Sequence, residues 1–157
     1  MINTAIFVDV QNIYYTTKAT YNRSFNYRQF WRECSKSHNI VSATAFAIAS
    51  EDSGQQKFQS ALKHIGFEVK LKPYIQRSDG SAKGDWDVGI TIDIMEHAQS
   101  VDKIILLSGD GDFSILLSHI AKKHHTITQV HSVRKLTAKS LIDSCDHYCE
   151  ILKSDLL

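Results

Sequence analysis

Asp110 and Asp112 stand one glycine apart in Ser108-Gly109-Asp110-Gly111-Asp112-Phe113, directly after the apolar run Ile104-Ile105-Leu106-Leu107. A run that is apolar at every position reads as a strand buried on both faces. Phe113, Leu116, Leu117 and Ile120 follow at i, i+3, i+4 and i+7, one face of a helix. The two carboxylates therefore sit on a glycine turn where a buried strand hands over to a helix. In open α/β sheets, ligands bind at this carboxyl edge. Asp9 ends a similar apolar run at Thr4–Val8 and is followed by Asn12, and Asp85-Trp86-Asp87 precedes an apolar helical stretch. Carboxylates gathered at one edge repel one another unless a cation sits among them. Hard oxygen ligands with open positions suit Mg²⁺ or Mn²⁺ rather than zinc. Such ions activate water and stabilise an in-line displacement at phosphorus. Asn12 and Ser108 are neutral and suited to orienting a water or a phosphate.

Each acidic residue also has a plain structural use. Asp112 can cap the helix that begins at Phe113, Asp85 or Asp87 the preceding helix, and Asn12 the first one. One cap needs one residue, yet two of the turns carry Asp-x-Asp. Asp93, inside the apolar helix, reads as a buried carboxylate bonded to a basic neighbour, or as an outer group that orients a ligand. Lys122, Lys123, His124, His125, Arg134, Lys135 and Lys139 form a basic cluster. It is either a solvated face or, with Arg77 and Lys83, a phosphate track. Tyr14, Tyr15, Tyr21 and Tyr27 crowd the segment after Asp9, where most pack and one or two can stack on an unpaired base. Cys145-x-His147-x-Cys149 lacks a fourth ligand and reads as structural.

The elements that must position these residues follow from the apolar pattern. Strands are expected at Thr4–Val8, Val41–Ile48, Phe67–Leu71, Lys103–Leu107 and Thr126 to about Val133, with an edge strand at Tyr148–Leu152. Helices are expected from Ile13 to about Thr20, from Tyr27 behind Asn26, and behind the capping spacing Ser53-Gly-Gln-Gln56 to a stop at Gly66. Further helices are expected from Asp87 to about Gln99, over 113–123, and briefly from Ala138. Helix 87–99 is apolar nearly all round and is expected to be buried on more than one side. Lys72–Trp86, with Pro73, Gly80 and Gly84, reads as one long irregular stretch.

Alternating strands and helices make an α/β sandwich around a parallel sheet. Right-handed crossovers give strand order 3-2-1-4-5, which sets Asp9 beside Asp110 and brings the first turn of helix 87–99 to the same edge. The totals fit one domain over residues 1–157: 43% hydrophobic, 22% charged, one proline, seven glycines. A net charge of +1 gives no global pull on nucleic acid, so a polyanion needs a local patch. The opening Met-Ile-Asn-Thr-Ala-Ile-Phe-Val-Asp9 reads as a strand rather than a signal peptide. No apolar run reaches the ~20 residues of a membrane span. Three cysteines suggest reduced thiols and a cytoplasmic location.

At Asp9-x-x-Asn12, Lys83-Gly-Asp-Trp-Asp87-Val and Ser108-Gly-Asp110-Gly-Asp112-Phe the chain resembles the NYN domain family, more closely its LabA-like branch, in the wider group of PIN-like nucleases. Ser140-Leu-Ile-x-x-x-Asp146 is similar to the family's closing helix. The resemblance implies a compact Rossmann-like fold and a metal-dependent ribonuclease site. It implies catalytic and metal-holding roles for Asp9, Asp87, Asp110 and Asp112, with Asn12 as polar companion and Asp93 as a recurrent acidic position. This chain has one more residue than the common Lys-Gly-x-Asp-Val, so Asp87, which opens the helix, is taken as the ligand and Asp85 is kept as a second candidate.

The leading expectation is a Mg²⁺- or Mn²⁺-dependent nuclease acting on single-stranded RNA, with Lys83, Arg77, Ser108 and Lys139 on the RNA path. The alternative is a non-catalytic RNA-binding or regulatory module of the same fold. A phosphotransfer enzyme with an aspartyl intermediate fits least, because Asp9-Val-Gln-Asn12 lacks a second aspartate two positions on. The partners are an RNA substrate and no membrane, with a second copy of the chain left open.

Overall fold

The computed structural model describes residues 1–73, 75–76, 82–83 and 85–157, the side chains of 75–76 and 82–83 excepted. The sheet strands are β1 (Ile2–Asp9), β2 (His38–Ile48), β3 (Glu68–Lys72), β6 (Lys103–Leu107), β7 (Ile127–Ser132) and β8 (His147–Glu150). All pairs are parallel, in spatial order β3-β2-β1-β6-β7-β8. The expected order 3-2-1-4-5 is thus present, and the C-terminal edge strand extends it to six. Two short strands, β4 (Ile75–Gln76) and β5 (Ala82–Lys83), pair antiparallel apart from that sheet. The stretch expected to be irregular therefore carries a small ladder.

Period-two alternation splits the central strands between two cores. Ile6 and Val8 of β1, with Ile105 and Leu107 of β6, face one side. Helices α1 (Val10–Tyr21), α2 (Tyr27–Ser35) and α3 (Ser53–Ile65) cover that side through Ile13, Tyr27 and Leu62. Ala5 and Phe7, with Ile104 and Leu106, face the other side. There α4 (Asp87–Ala98), α5 (Ser114–His124) and α6 (Lys139–Ser144) pack through Ile94, Leu117 and Leu141. Ile104 to Leu107 are all 0% exposed, as a strand buried on both faces requires. Each such side chain withdrawn from water contributes roughly 1.5–3 kcal/mol.

One expectation fails at α4. Only Ile90, Ile94 and Ala98 are buried, while Val88 is 73%, Ile92 52% and Met95 42% exposed. Apolar composition all round the helix does not by itself supply a second layer to cover it. The caps also differ from expectation. Asp52 rather than Ser53 caps α3, accepting the Gln55 N–H at 2.9 Å. Asp9 rather than Asn12 caps α1. No described helix is long and apolar enough to cross a membrane.

Candidate active site

The central strands β1 and β6 end side by side, with Val8 paired to Leu107. Each releases an aspartate into a turn. Asp9 leaves β1 directly into α1, and its Oδ1 accepts the Asn12 N–H at 3.4 Å. The Asn12 side chain then reaches across to the other turn, where its Oδ1 accepts the Gly109 N–H at 2.8 Å. Ser108, fully buried, completes the bridge. Its hydroxyl donates to Asp9 Oδ2 at 3.0 Å and accepts the Asp110 N–H at 3.2 Å. The two turns are thus clamped by side chains from positions about a hundred residues apart.

Glycine is needed in the second turn for close approach. A Cβ on Gly111 would lie 2.7 Å from the Ala138 Cβ, and one on Gly109 would lie 2.9 Å from Thr137 Oγ1. The loop is also tied down there, the Ala138 N–H donating to the Gly109 carbonyl at 3.3 Å. Asp110 caps the single 3₁₀ turn Gly111–Phe113, its Oδ1 accepting the Asp112 N–H at 2.9 Å, so the cap is Asp110 and not Asp112.

The third approach comes from α4. Trp86 anchors its start by donating the indole N–H to the Ala47 carbonyl at 2.8 Å, with the Lys72 ammonium 5.4 Å above its ring. Asp87 is then the first helical residue, and neither it nor Asp85 supplies the cap expected of them: Trp86 holds that position without a side-chain bond. Asp87, Asp110 and Asp112 each offer a carboxylate oxygen, all within 4.8 Å of one another. Asp85 lies outside that group. Its Oδ1 accepts the Asp87 N–H at 3.4 Å, and its carbonyl accepts from Lys72.

The electrostatics match three converging negative charges with no described cation among them. Asp87 is pushed up to about 7, first by burial, then by the hydrogen-bonded Asp110 carboxyl and the charges of Asp110, Asp9 and Asp85. Burial pushes Asp9 up to about 6, against the bonds from Ser108 and Asn12 and with the charges of Asp110 and Asp85. The donor set is all hard oxygen with open sides, Asp112 being exposed, and it suits a metal ion. Asp9 lies outside that group of three; it is buried and shapes the loop through Ser108.

The remaining expected residues divide. Asp93 is in a half-buried ion pair, its Oδ2 accepting from Lys70 at 2.6 Å with the carboxylate side chain 13% exposed, which is the structural reading of that residue. Ser108 was expected on the RNA path, yet it is 0% exposed with its hydroxyl engaged on both sides, so its part is internal. Lys139 opens α6 beside the loop and pairs with Asp143 at 2.7 Å on an exposed face. Arg77 and the side chain of Lys83 lie outside the described residues. Lys122 to His125 sit at the far end of α5, whose 11 residues carry them about 16 Å from the acidic turn, so they cannot share a short phosphate track with it. The sequence reading did not separate Ser108 as the clamp between Asp9 and Asp110. Only the pairing of β1 with β6 reveals it.

Ser108→Ala should destabilise the protein by about 1–3 kcal/mol, because Asp9 loses a donor and the Asp110 N–H an acceptor. The Ser108 bond favours the charged form of Asp9, so its loss moves Asp9 further above about 6. Urea unfolding should show a larger deficit at pH 8 than at pH 5. An equal deficit at both would mean that the hydroxyl does not serve the carboxylate.

Residues 3–152 match the family pattern of the NYN domain. The chain is 28% identical over 158 residues to the low amplitude and bright protein LabA of Synechococcus elongatus, covering 94% of this chain and 82% of that one. Among solved structures it is similar to a protein of unknown function from Vibrio parahaemolyticus. The two are 51% identical with a TM-score of 0.95, over 99% of this chain and 96% of that one. The ribokinase of Giardia lamblia gives a TM-score of 0.51 at 13% identity, over 96% of this chain and 58% of that one, a likeness of fold alone.

Proposed function

The chain belongs to the NYN domain family of PIN-like nucleases, and from that premise we propose that it is a Mg²⁺- or Mn²⁺-dependent ribonuclease that hydrolyses phosphodiester bonds of single-stranded RNA. The observation that carries the reading is the gathering of Asp87, Asp110 and Asp112 within 4.8 Å at the carboxyl edge, from two separate turns. Folding places mutually repelling carboxylates there, and a structural role for all three would not require it. These three hold the ion, which when bound polarises the phosphoryl oxygen and lowers the pKa of a bound water. Asp9 and Asn12 act with them by fixing the 108–112 loop, and Asp9 offers a buried carboxylate behind the ion. In the reaction a water oxygen bonds to phosphorus as the P–O ester bond breaks, the water proton passing to a carboxylate or to solvent and the departing ester oxygen taking up a proton from solvent.

Lys139 is a described cation beside the acidic loop, free to meet the RNA backbone. Its pair with Asp143 is exposed on both sides and screened by solvent, so it yields readily to a phosphate. Lys83 and Arg77 extend that path in the reading from sequence. Cys34, Cys145 and Cys149 are free thiols, which suits a reducing cytoplasm.

The test is cleavage of an end-labelled single-stranded RNA with chelator, Mg²⁺ or Mn²⁺. The expected result is cleavage only with metal, lost in Asp110→Asn. Tight binding with no cleavage under any metal would favour the non-catalytic RNA-binding module instead.

A further inference from the structure

A groove of about 830 Å³ opens at the same carboxyl edge, between α1 and α3 on the opposite face of the sheet from α4. That volume is in the range of ligand sites, about 300–1,000 Å³. Its walls include Ala47 and Ile48 at the end of β2 and Phe58 of α3, and the buried ring of Tyr27 lies against it. Tyr14 and Tyr15 stand at its α1 side, 44% and 63% exposed, with ring centroids 5.4 Å apart at 71°. Two exposed tyrosines on a first helix are not needed for the core. They are large flat surfaces left facing water.

The groove is lined by chain neighbours of the acidic site. Val10 and Gln11, which line it, follow Asp9 directly. Ala47 lines it too, and its carbonyl is the anchor for Trp86, the residue before Asp87. The charge of the lining selects the occupant. Among the described residues the lining has Glu51 and Asp52 and no lysine, arginine or histidine. Such a surface repels phosphate and accepts hydrogen bonds from N–H groups. An uncharged aromatic ring with N–H donors at its edge meets both conditions, and a nucleobase is such a ring. A base inside a duplex cannot reach a groove of this kind, whereas the bases of a single strand can be splayed into it.

We propose that the groove between α1 and α3 takes an unpaired base of the strand whose phosphate lies at Asp87, Asp110 and Asp112, with Tyr14 and Tyr15 as its stacking surface. This rests on the ribonuclease reading for the position of the phosphate. It adds the reason the substrate must be single-stranded: the base and the phosphate occupy separate sites, one acceptor-rich and apolar, the other built for a cation.

The experiment measures binding of a short labelled single-stranded RNA by fluorescence anisotropy in Ca²⁺, with the RNA checked for integrity. A duplex of the same sequence and an abasic strand of the same length serve as controls. Wild type should bind the single strand more tightly than either control. The double variant Tyr14→Ala/Tyr15→Ala should weaken single-strand binding by about 5- to 150-fold and leave the abasic strand nearly unaffected. Tyr14→Phe/Tyr15→Phe should restore binding, because the ring and not the hydroxyl does the stacking. Melting shifts with Mn²⁺ should be the same in all three proteins. Unchanged single-strand binding by the alanine variant, or equal loss on the abasic strand, overturns the groove and leaves the nuclease reading standing. Base-dependent binding lost in the alanine variant, beside wild type that fails to cleave RNA in Mg²⁺ or Mn²⁺, overturns the nuclease reading and leaves the groove. Wild type that binds no single-stranded RNA overturns both.

Discussion

Asp87→Asn is expected to lower metal-dependent cleavage by at least about 100-fold, since even partners outside the ligand set cost 10–100-fold when removed. The same variant is expected to melt at or above wild type in chelator at pH 8. Asparagine keeps the size and the hydrogen-bonding oxygen and removes one charge from a place that disfavours it. Two effects compete. An acidic residue in a first helical turn is favoured by roughly 0.3–1 kcal/mol. Burial and the neighbouring carboxylates act against it, and a carboxyl held up to about 7 says that they win. Asp87 makes no cap bond that the substitution would break. Cleavage rates and melting curves in chelator, taken on the same preparation, check both halves. A variant clearly less stable than wild type in chelator would make Asp87 a structural residue.

Mn²⁺ is expected to raise the melting temperature of wild type by about 5–10 °C at pH 7.5, and by far less at pH 5. An ion at a hundred times its dissociation constant stabilises by about 2.7 kcal/mol, and each kcal/mol moves a domain of this size by about 2–4 °C. The pH dependence follows from Asp9 at about 6 and Asp87 at about 7, both raised from 3.8. Between about pH 4 and 7 the folded chain holds protons that the unfolded chain has released. Their contribution to stability is full below pH 4 and is lost as pH rises through 6 and 7. Metal competes with those same protons, so its effect grows over the window in which the metal-free protein weakens. Melting curves from pH 4.5 to 8, in chelator and in Mn²⁺, should diverge as pH rises. A chelated protein that gains stability over that range would contradict the account.

The sheet was legible because its signals are strong and local. Ile104–Leu107 is apolar at every position, and handedness leaves few ways to join such strands, so Asp9 falls beside Asp110 from topology alone. The caps were harder. Asp52-Ser-Gly-Gln55 and Ser53-Gly-Gln-Gln56 offer the same spacing one residue apart, and only the backbone turn decides between them. The outer face of α4 was misread because periodicity reports which residues are apolar and not whether a partner covers them. The basic run Lys122–His125 was grouped with Arg134 and Lys139 by composition. The length of α5 puts it at the other edge of the sheet. At the site, the convergence of the turns was readable, but the division of labour was not. Asp9, the last residue of β1, is buried and bonded to Ser108, while Asp112, in the 3₁₀ turn beyond β6, is exposed, a division that only the packed turns decide.

The central claim is that Asp87, Asp110 and Asp112 hold a divalent cation. Crystals soaked in Mn²⁺ and measured at the manganese absorption edge test it most directly. The account predicts an anomalous peak bounded by these three carboxylates in wild type and absent in crystals of Asp87→Asn. A wild-type map with no peak there, or a peak that persists in the variant, would contradict it.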